Sequence, residues 1–349
     1  MSDPIPYFDG HNDVLLRLYL QEGGDPVREF LDGAGKGHMD LPRARQGNFI
    51  GGLFAVFSPP ARKPDFATPG ALRQPLPPVL PPGEAATSVI GEVALLLRLV
   101  AASEGAVTFC TTVPEIRDAI ARGSLAVVLH LEGADAIGED LYFLDLLHHM
   151  GLRSLGPLWS RPNAFGHGVP MTFPGSPDIG DGLTEAGKRL VRQCNRLGIL
   201  VDVSHLNEKG FWDIAAISQK PIIATHSNVH AISTSPRNLT ARQLDAVRDS
   251  DGLVGLNFAT SYLRDDGQMR TDTPIEWMVR HTDGLIEALG EDRVGIGSDF
   301  DGAAIPDAIG SVAGSQVLFE ALRQHGYDEP LLRKLGSENW LKALERTWS

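Results

Sequence analysis

A chain of 349 residues with a formal charge of −13 offers no basic face to a nucleic-acid backbone. Hydrophobic residues make up 42%, enough for a large core, and 38 glycines with 24 prolines point to many turns rather than to disorder. The length exceeds an ordinary single domain, but (β/α) barrels reach it as one unit. The cysteines, Cys110 and Cys194, are spaced for neither a zinc ribbon nor a redox pair and read as small core residues in a reducing compartment. The opening Met1-Ser2-Asp3-Pro4-Ile5-Pro6 carries no basic or apolar leader. The best apolar stretch, Val89 to Ala102, is interrupted by Glu92 and Arg98. The expectation is a cytoplasmic protein with neither membrane nor nucleic acid as partner; a homodimer is compatible with it.

Short apolar runs alternate with amphipathic segments. The strand candidates are Tyr7–Asp13, Phe49–Phe57, Leu125–Glu132, Leu152–Leu158, Ile199–His205, Pro221–His226, Gly252–Phe258 and Arg293–Asp299. Runs such as Ala126-Val127-Val128-Leu129 are continuous, as strands buried on both faces should be. Helices are expected between them at Thr87–Ser103, Thr184–Leu197, Asn207–Ser218, Ser315–His325 and within Pro330–Arg346. Thr112-Val113-Pro114-Glu115 and Thr240-Ala241-Arg242-Gln243 are capping boxes, and Thr273-Pro274-Ile275-Glu276 places proline at the first helical position. Strand and helix in alternation predict an α/β fold, a (β/α)8 TIM barrel formed by residues 1–349 as one catalytic domain. A doubly wound open sheet is the competing architecture, but no Gly-x-Gly-x-x-Gly follows any strand. A Pro-rich insertion at about 58–84 follows the second strand, so in a barrel it lies on the carboxyl face, as a stiff surface loop or as the rim of a site.

The polar residues fall at strand ends. His11 and Asp13 end the first candidate, and strict alternation puts them on one face. Alone, such a pair is more often an N-terminal strand with a capping aspartate. But Glu132 ends the third candidate, His205 the fifth, His226 the sixth and Asp299 the eighth. That is the face on which barrel enzymes do their chemistry. Three histidines and three carboxylates exceed what one tetrahedral zinc needs, and two divalent ions with a bridging carboxylate use them better. Glu132 is the natural bridge, His11 and Asp13 complete one ion, and His205 and His226 the other. Asp299 then contacts the bridging water and moves its proton. Among the remaining histidines, His130 reads as a layer beneath the metals, His230 as a pocket or supporting residue, and His148, His149 and His281 as helix surface. Asp202 reads as orienting backbone, and Asp301 as closing the turn after Asp299.

The arrangement resembles the membrane dipeptidase (renal dipeptidase) family of binuclear zinc peptidases, within the amidohydrolase-like barrels. The likeness rests on Asp9-Gly10-His11-Asn12-Asp13, His130-Leu131-Glu132-Gly133, Asp202-Val203-Ser204-His205, Thr225-His226-Ser227-Asn228, Pro236-Arg237-Asn238-Leu239 and Gly297-Ser298-Asp299-Phe300-Asp301-Gly302, and covers nearly the whole chain. It implies two divalent ions, most readily Zn2+, on His11, Asp13, Glu132, His205 and His226. It also implies an acid/base at Asp299 and a substrate-carboxylate clamp at Arg237. The expected activity is hydrolysis of dipeptides, often with a D-residue at the C-terminal position. The carboxylates and a hydroxide offset the charge of two ions, leaving Arg237 to match one substrate carboxylate. The chain departs from the family at Leu158-Trp159-Ser160-Arg161-Pro162-Asn163, where Ser160 stands in place of a substrate-binding histidine. Ser160, Arg161, the nearby His167 or the metal alone must then serve. Ser160, Asn163 and His230 are the further substrate-binding candidates. The competing functions are hydrolysis of another small amide, a lactone or a phosphoester on the same centre, and metal binding by a catalytically impaired homologue.

Overall fold

A computed structural model of the chain describes residues 3–33, 35–60 and 76–348. Nine parallel strands are present among them: β1 (Tyr7–Asn12), β2 (Phe49–Phe57), β3 (Val107–Phe109), β4 (Leu125–Glu132), β5 (Leu152–Gly156), β6 (Leu200–Val201), β7 (Ile223–Ser227), β8 (Leu253–Asn257) and β9 (Val294–Gly297). Eight follow one another in the order β6-β5-β4-β2-β1-β9-β8-β7, and β3 pairs only with β4, outside that path. A parallel bridge between Asp202 and Ile223, with Val203 N–H donating to the Ile223 carbonyl at 2.9 Å, brings the two ends together. The result is a nearly closed eight-stranded parallel barrel with helices outside it, the geometry that gives the site its position.

All eight predicted strands exist. The fifth is much shorter than expected: after Val201 the chain leaves the ladder to let Asp202 accept hydrogen bonds from the Ser204 and Thr225 backbone and hydroxyl groups. The short β3 carried too little sequence to be recognised. The boxes at Thr112 and Thr240 cap the helices Val113–Ala121 and Ala241–Asp249 as expected. Thr273 does not cap its helix, which runs Glu276–Leu289 from an N-cap at Ile275. Of the Pro-rich segment, residues 61–75 lie outside the described residues.

Helix Pro82–Ala102 spans 21 residues and is long and apolar enough, by length and composition, to cross a membrane, contrary to the sequence reading. Here it connects β2 with β3, and its face of Ala85, Val89, Val93, Leu96 and Leu99 is buried in the core. Glu92 on that face is fully buried and accepts from Phe57 N–H at 3.1 Å.

Two apolar layers sort the strand residues. On β4, Val127, Leu129 and Leu131 pack outward into the large core, while Ala126 and Val128 join Phe8, Leu53, Leu200, Ile223 and Leu253 in a second cluster that fills the barrel. Trp340, from the last helix Asn339–Trp348, belongs to that inner cluster and donates its indole N–H to the Ile296 carbonyl at 2.8 Å. A Cβ on Gly10 would stand 2.3 Å from the Trp340 ring, so only glycine admits this plug. Above the plug, on the same face of β4, come His130 and then Glu132.

Candidate active site

The histidines reach the barrel mouth through breaks in regularity. On β1, Phe8 faces the inner cluster and Tyr7 the outer one, so unbroken alternation would send His11 outward. The register of β1 against β2 shifts between Asp9 and Asn12, and His11 turns inward. On β7, Ala224 packs outward, and the register against β8 shifts between Ala224 and Ser227, which turns His226 inward. The His11 and His226 rings then stack with centroids 3.9 Å apart. Asp13 lies one residue past its strand, at the N-cap of helix Val14–Tyr19, with its N–H bonded to the Phe300 carbonyl at 2.8 Å. Asp299 and Asp301 both adopt positive φ, 60° and 67°, in the turn after β9. This conformation is rare for residues other than glycine and is often found at functional sites.

Glu132 is the hub. Its Oε1 lies 2.9 Å from His205 Nε2 and 3.6 Å from both His226 Nε2 and His11 Nε2. His205 Nε2 and His226 Nε2 are 3.1 Å apart, and His11 Nε2 is 3.3 Å from Asp13 Oδ2. His11, Asp13 and Asp299 form a second group whose ligand atoms all lie within 4.8 Å of one another. The far nitrogens of two rings are occupied: His205 Nδ1 meets Ser160 Oγ at 3.1 Å, and His226 Nδ1 meets Thr225 Oγ1 at 2.8 Å. Such contacts fix the ring and leave Nε2 directed at the centre.

Burial pushes the His205 and His226 imidazoles well below their usual range, helped by the positive charge of Arg237 and His11, so both rings are neutral and offer a lone pair. Burial also opposes charge on His11, but the carboxylates of Glu132 and Asp13 outweigh it and raise that imidazole to about 10. Glu132 is pushed well above the carboxylate range by burial, against the pull of His11, and Asp299 is raised for the same reason. A buried bowl of carboxylates and neutral imidazoles with facing lone pairs fits a divalent cation in place of the shared protons.

A cavity of about 480 Å3 opens above this centre, lined by Asp13, Glu132, His205, His226, Arg237 and Asp299 and walled by apolar side chains. Arg237 is 2% exposed. It donates to the Ser204 carbonyl, and to the His226 carbonyl at 3.2 Å, and its guanidinium lies 5.4 Å from the Tyr262 ring centroid. Its Nε finds no partner among the described residues.

The other substrate candidates stand elsewhere. Ser160 is 1% exposed and supports His205 rather than lining the cavity; the side chain this segment presents to the cavity is that of Trp159. Asn163 pins its own loop, donating to the Pro157 carbonyl at 2.9 Å and accepting from Phe165 N–H at 2.9 Å. His230 meets the Gly175 carbonyl at 2.9 Å, and His167 does not line the cavity either. Arg161 is fully buried and pairs with Asp135 at 3.0 Å. His281, expected on a helix surface, is fully buried: its Nδ1 accepts from Val229 N–H and its Nε2 donates to the Leu263 carbonyl. His130 is buried beneath His11, as expected, with Nδ1 2.8 Å from Ser154 Oγ.

Asn257 escaped the sequence reading. Its side-chain amide donates to Asp299 Oδ2 at 3.0 Å. The signal was present, since Asn257 is a polar residue ending a strand like the others.

Comparison with known proteins fits this geometry. The membrane dipeptidase model (peptidase family M19) matches residues 1–348. A metallo peptidase from Rhodobacter sphaeroides, solved with a phosphinate mimic of the dipeptide L-Ala-D-Ala, is 52% identical with a TM-score of 0.95, covering 99% of this chain and 100% of that one. The dipeptidase AC, a family M19 metallo peptidase, is 52% identical with a TM-score of 0.94, each chain being covered to 99%. An uncharacterized Klebsiella pneumoniae protein from the pqqA 5' region is 46% identical over 76% of this chain and 98% of its own length. The chain belongs to the membrane dipeptidase family, M19, of metallopeptidases.

Proposed function

We propose that the protein hydrolyses dipeptides at a centre of two divalent ions, Zn2+ by ligand chemistry, with L-Ala-D-Ala-like substrates among those it accepts. The observation that carries this reading is the gathering of His11, Asp13, Glu132, His205 and His226 beneath one cavity that also presents Asp299 and Arg237. Imidazole and carboxylate donors suit zinc, and Glu132, shared by three histidines, would bridge the pair. Bound there, the ions supply electrophilic polarisation of the scissile carbonyl and a water that is nucleophilic near neutral pH.

The chain's own residues do the rest. Arg237 takes the substrate carboxylate; with two guanidinium N–H groups spent on carbonyls, three donors remain, Nε–H among them. Fixing that carboxylate a set distance from the centre leaves room for one residue beyond the scissile bond, which selects dipeptides over longer peptides. Asp299, oriented by Asn257, accepts the proton the attacking water loses and passes it to the amide nitrogen as the C–N bond breaks. The products are one amino acid as carboxylate and one as free amine. The side chains of the centre are themselves buried, which strengthens each of these interactions.

The test is a purified protein reconstituted with Zn2+, assayed on L-Ala-D-Ala and L-Ala-L-Ala, beside a metal count. Turnover with two ions per chain supports the reading. A loaded protein that turns over no dipeptide would sink it.

A further inference from the structure

Resting on the reading of Arg237 as the carboxylate clamp, we infer that the side chain of the substrate's N-terminal residue is held by an apolar wall at the β1–β2 side of the mouth. This wall selects uncharged, apolar residues there. The barrel's order sets the direction. Arg237 follows β7, and β2 lies four places from β7 whichever way the ring is followed, through β6, β5 and β4 or through β8, β9 and β1. A dipeptide with its carboxylate on Arg237 and its scissile carbonyl over the His11–Glu132–His226 cluster therefore points its other end at β2.

What waits there is apolar. Phe57 ends β2, Pro59 and Pro60 follow it, and Leu16 and Leu20 come from the helix after β1 and its end; all five line the cavity. Trp159 closes the wall from the β5 side, its ring 4.8 Å from Phe57 and 6.2 Å from His205. The cation behind this wall does not line the cavity. Arg161 is buried, pairs with Asp135, and donates to the Ser58 carbonyl at 2.8 Å, with its guanidinium 5.5 Å from the Trp159 ring and 5.9 Å from that of Phe57. Among the described residues lining the cavity, Arg237 is the one lysine or arginine. The carboxylates of Asp13, Asp299 and Asp301 line the neighbouring β1–β9 side; with Asp13 committed to the ions, Asp299 to proton transfer and Asp301 to Arg17, none of them offers an acidic side chain a partner. An acidic N-terminal residue would lose its hydration against the wall and find no counter-charge among the described residues, whereas leucine or methionine gains by burial.

The experiment uses the metal-loaded protein and a panel Xaa-D-Ala with L-Ala, L-Leu, L-Met and L-Asp at Xaa. Alongside, calorimetry measures binding of phosphinate mimics of the leucyl and aspartyl members. We expect kcat/KM for the leucyl and methionyl substrates to exceed that for the aspartyl one at least tenfold, and the phosphinates to bind in the same order. Leu20→Arg adds a cation at the rim, where Leu20 is 41% exposed, and should narrow the leucyl-to-aspartyl ratio severalfold without lowering the melting temperature. Aspartyl substrates and mimics handled as well as leucyl ones would overturn the wall while leaving the dipeptidase reading intact. A protein that neither cleaves nor binds any member overturns both.

Discussion

The side-chain amide of Asn257 donates to Asp299 Oδ2 at 3.0 Å, a direct contact between the end of β8 and the turn after β9. The same amide group lies 3.4 Å from the His226 carbonyl, and Asn257 Oδ1 accepts from Ala259 N–H at 2.6 Å, so its orientation is fixed. Asp299 is thereby aimed at the centre. Replacing Asp299 with Asn should lower kcat by about 10²–10⁴, the usual size of a general acid–base contribution, with the metal content unchanged. Asn257→Leu should lower kcat by roughly tenfold with KM within about twofold, since it disturbs proton transfer rather than binding. Steady-state kinetics beside elemental analysis checks both.

Arg237 should behave as a binding residue. Arg237→Met removes charge-assisted hydrogen bonds of about 1.5–3 kcal/mol each, which predicts a loss of roughly 10- to 100-fold or more in kcat/KM. Arg237→Lys should rescue little of it, because an ammonium cannot reproduce a planar fork stacked on Tyr262. An amidated dipeptide should be insensitive to both substitutions.

Chelation should lower the melting temperature, and re-addition of the divalent ion should restore it. The three carboxylates packed among His11, His205 and His226 repel one another without a cation, and ligand bound only by the folded state stabilises by about 4 kcal/mol at a thousand times its Kd. Calorimetry with and without chelator reads the difference.

His281 gives the fold an acid-labile point away from the metal centre. Burial lowers its imidazole to about 4, while in the unfolded chain it titrates near 6.5. Between those values the unfolded state binds more protons, so the contribution is complete above about pH 6.5 and fades as pH falls toward 4. Melting temperature should decline over that window. His281→Gln should flatten the decline while costing stability at pH 7.

Arg17 ties the turn after β9 to the outer helices. Its Nε lies 3.1 Å from Asp301 Oδ2, its Nη1 bonds Glu29 at 2.7 Å, and Asp301 Oδ1 accepts from His38 N–H at 2.6 Å. This set of contacts holds Asp301, and with it the positive φ of Asp299, in place. Arg17→Met leaves a buried carboxylate without its cation and should destabilise the protein by about 1–3 kcal/mol. It should also lower kcat more than it changes KM. Denaturant unfolding and kinetics on the same preparation check this.

Much of this protein is written in local sequence. Val127, Leu129 and Leu131 declare β4 to be buried on its outer face by composition alone, and the boxes at Thr112 and Thr240 mark their helices because capping is decided within four residues. The residues gathered at the centre were legible because a His or an acid at the end of an apolar strand has few structural reasons to be there. The alternation argument for His11 and Asp13, however, reached the right pairing for the wrong reason. Strict alternation from Tyr7 and Phe8 points His11 outward; a register shift turns it in, and Asp13 belongs to a helix cap. Register shifts depend on the neighbouring strand, which no local pattern encodes. The same limit hid the positions of Trp159 at the cavity and of Asn257 beside Asp299, put Ser160 behind His205 rather than in the cavity, and buried His281. Each depends on which side chain a remote element places beside it, and a distance of 3.0 Å between residues 257 and 299 exists only once the barrel has closed.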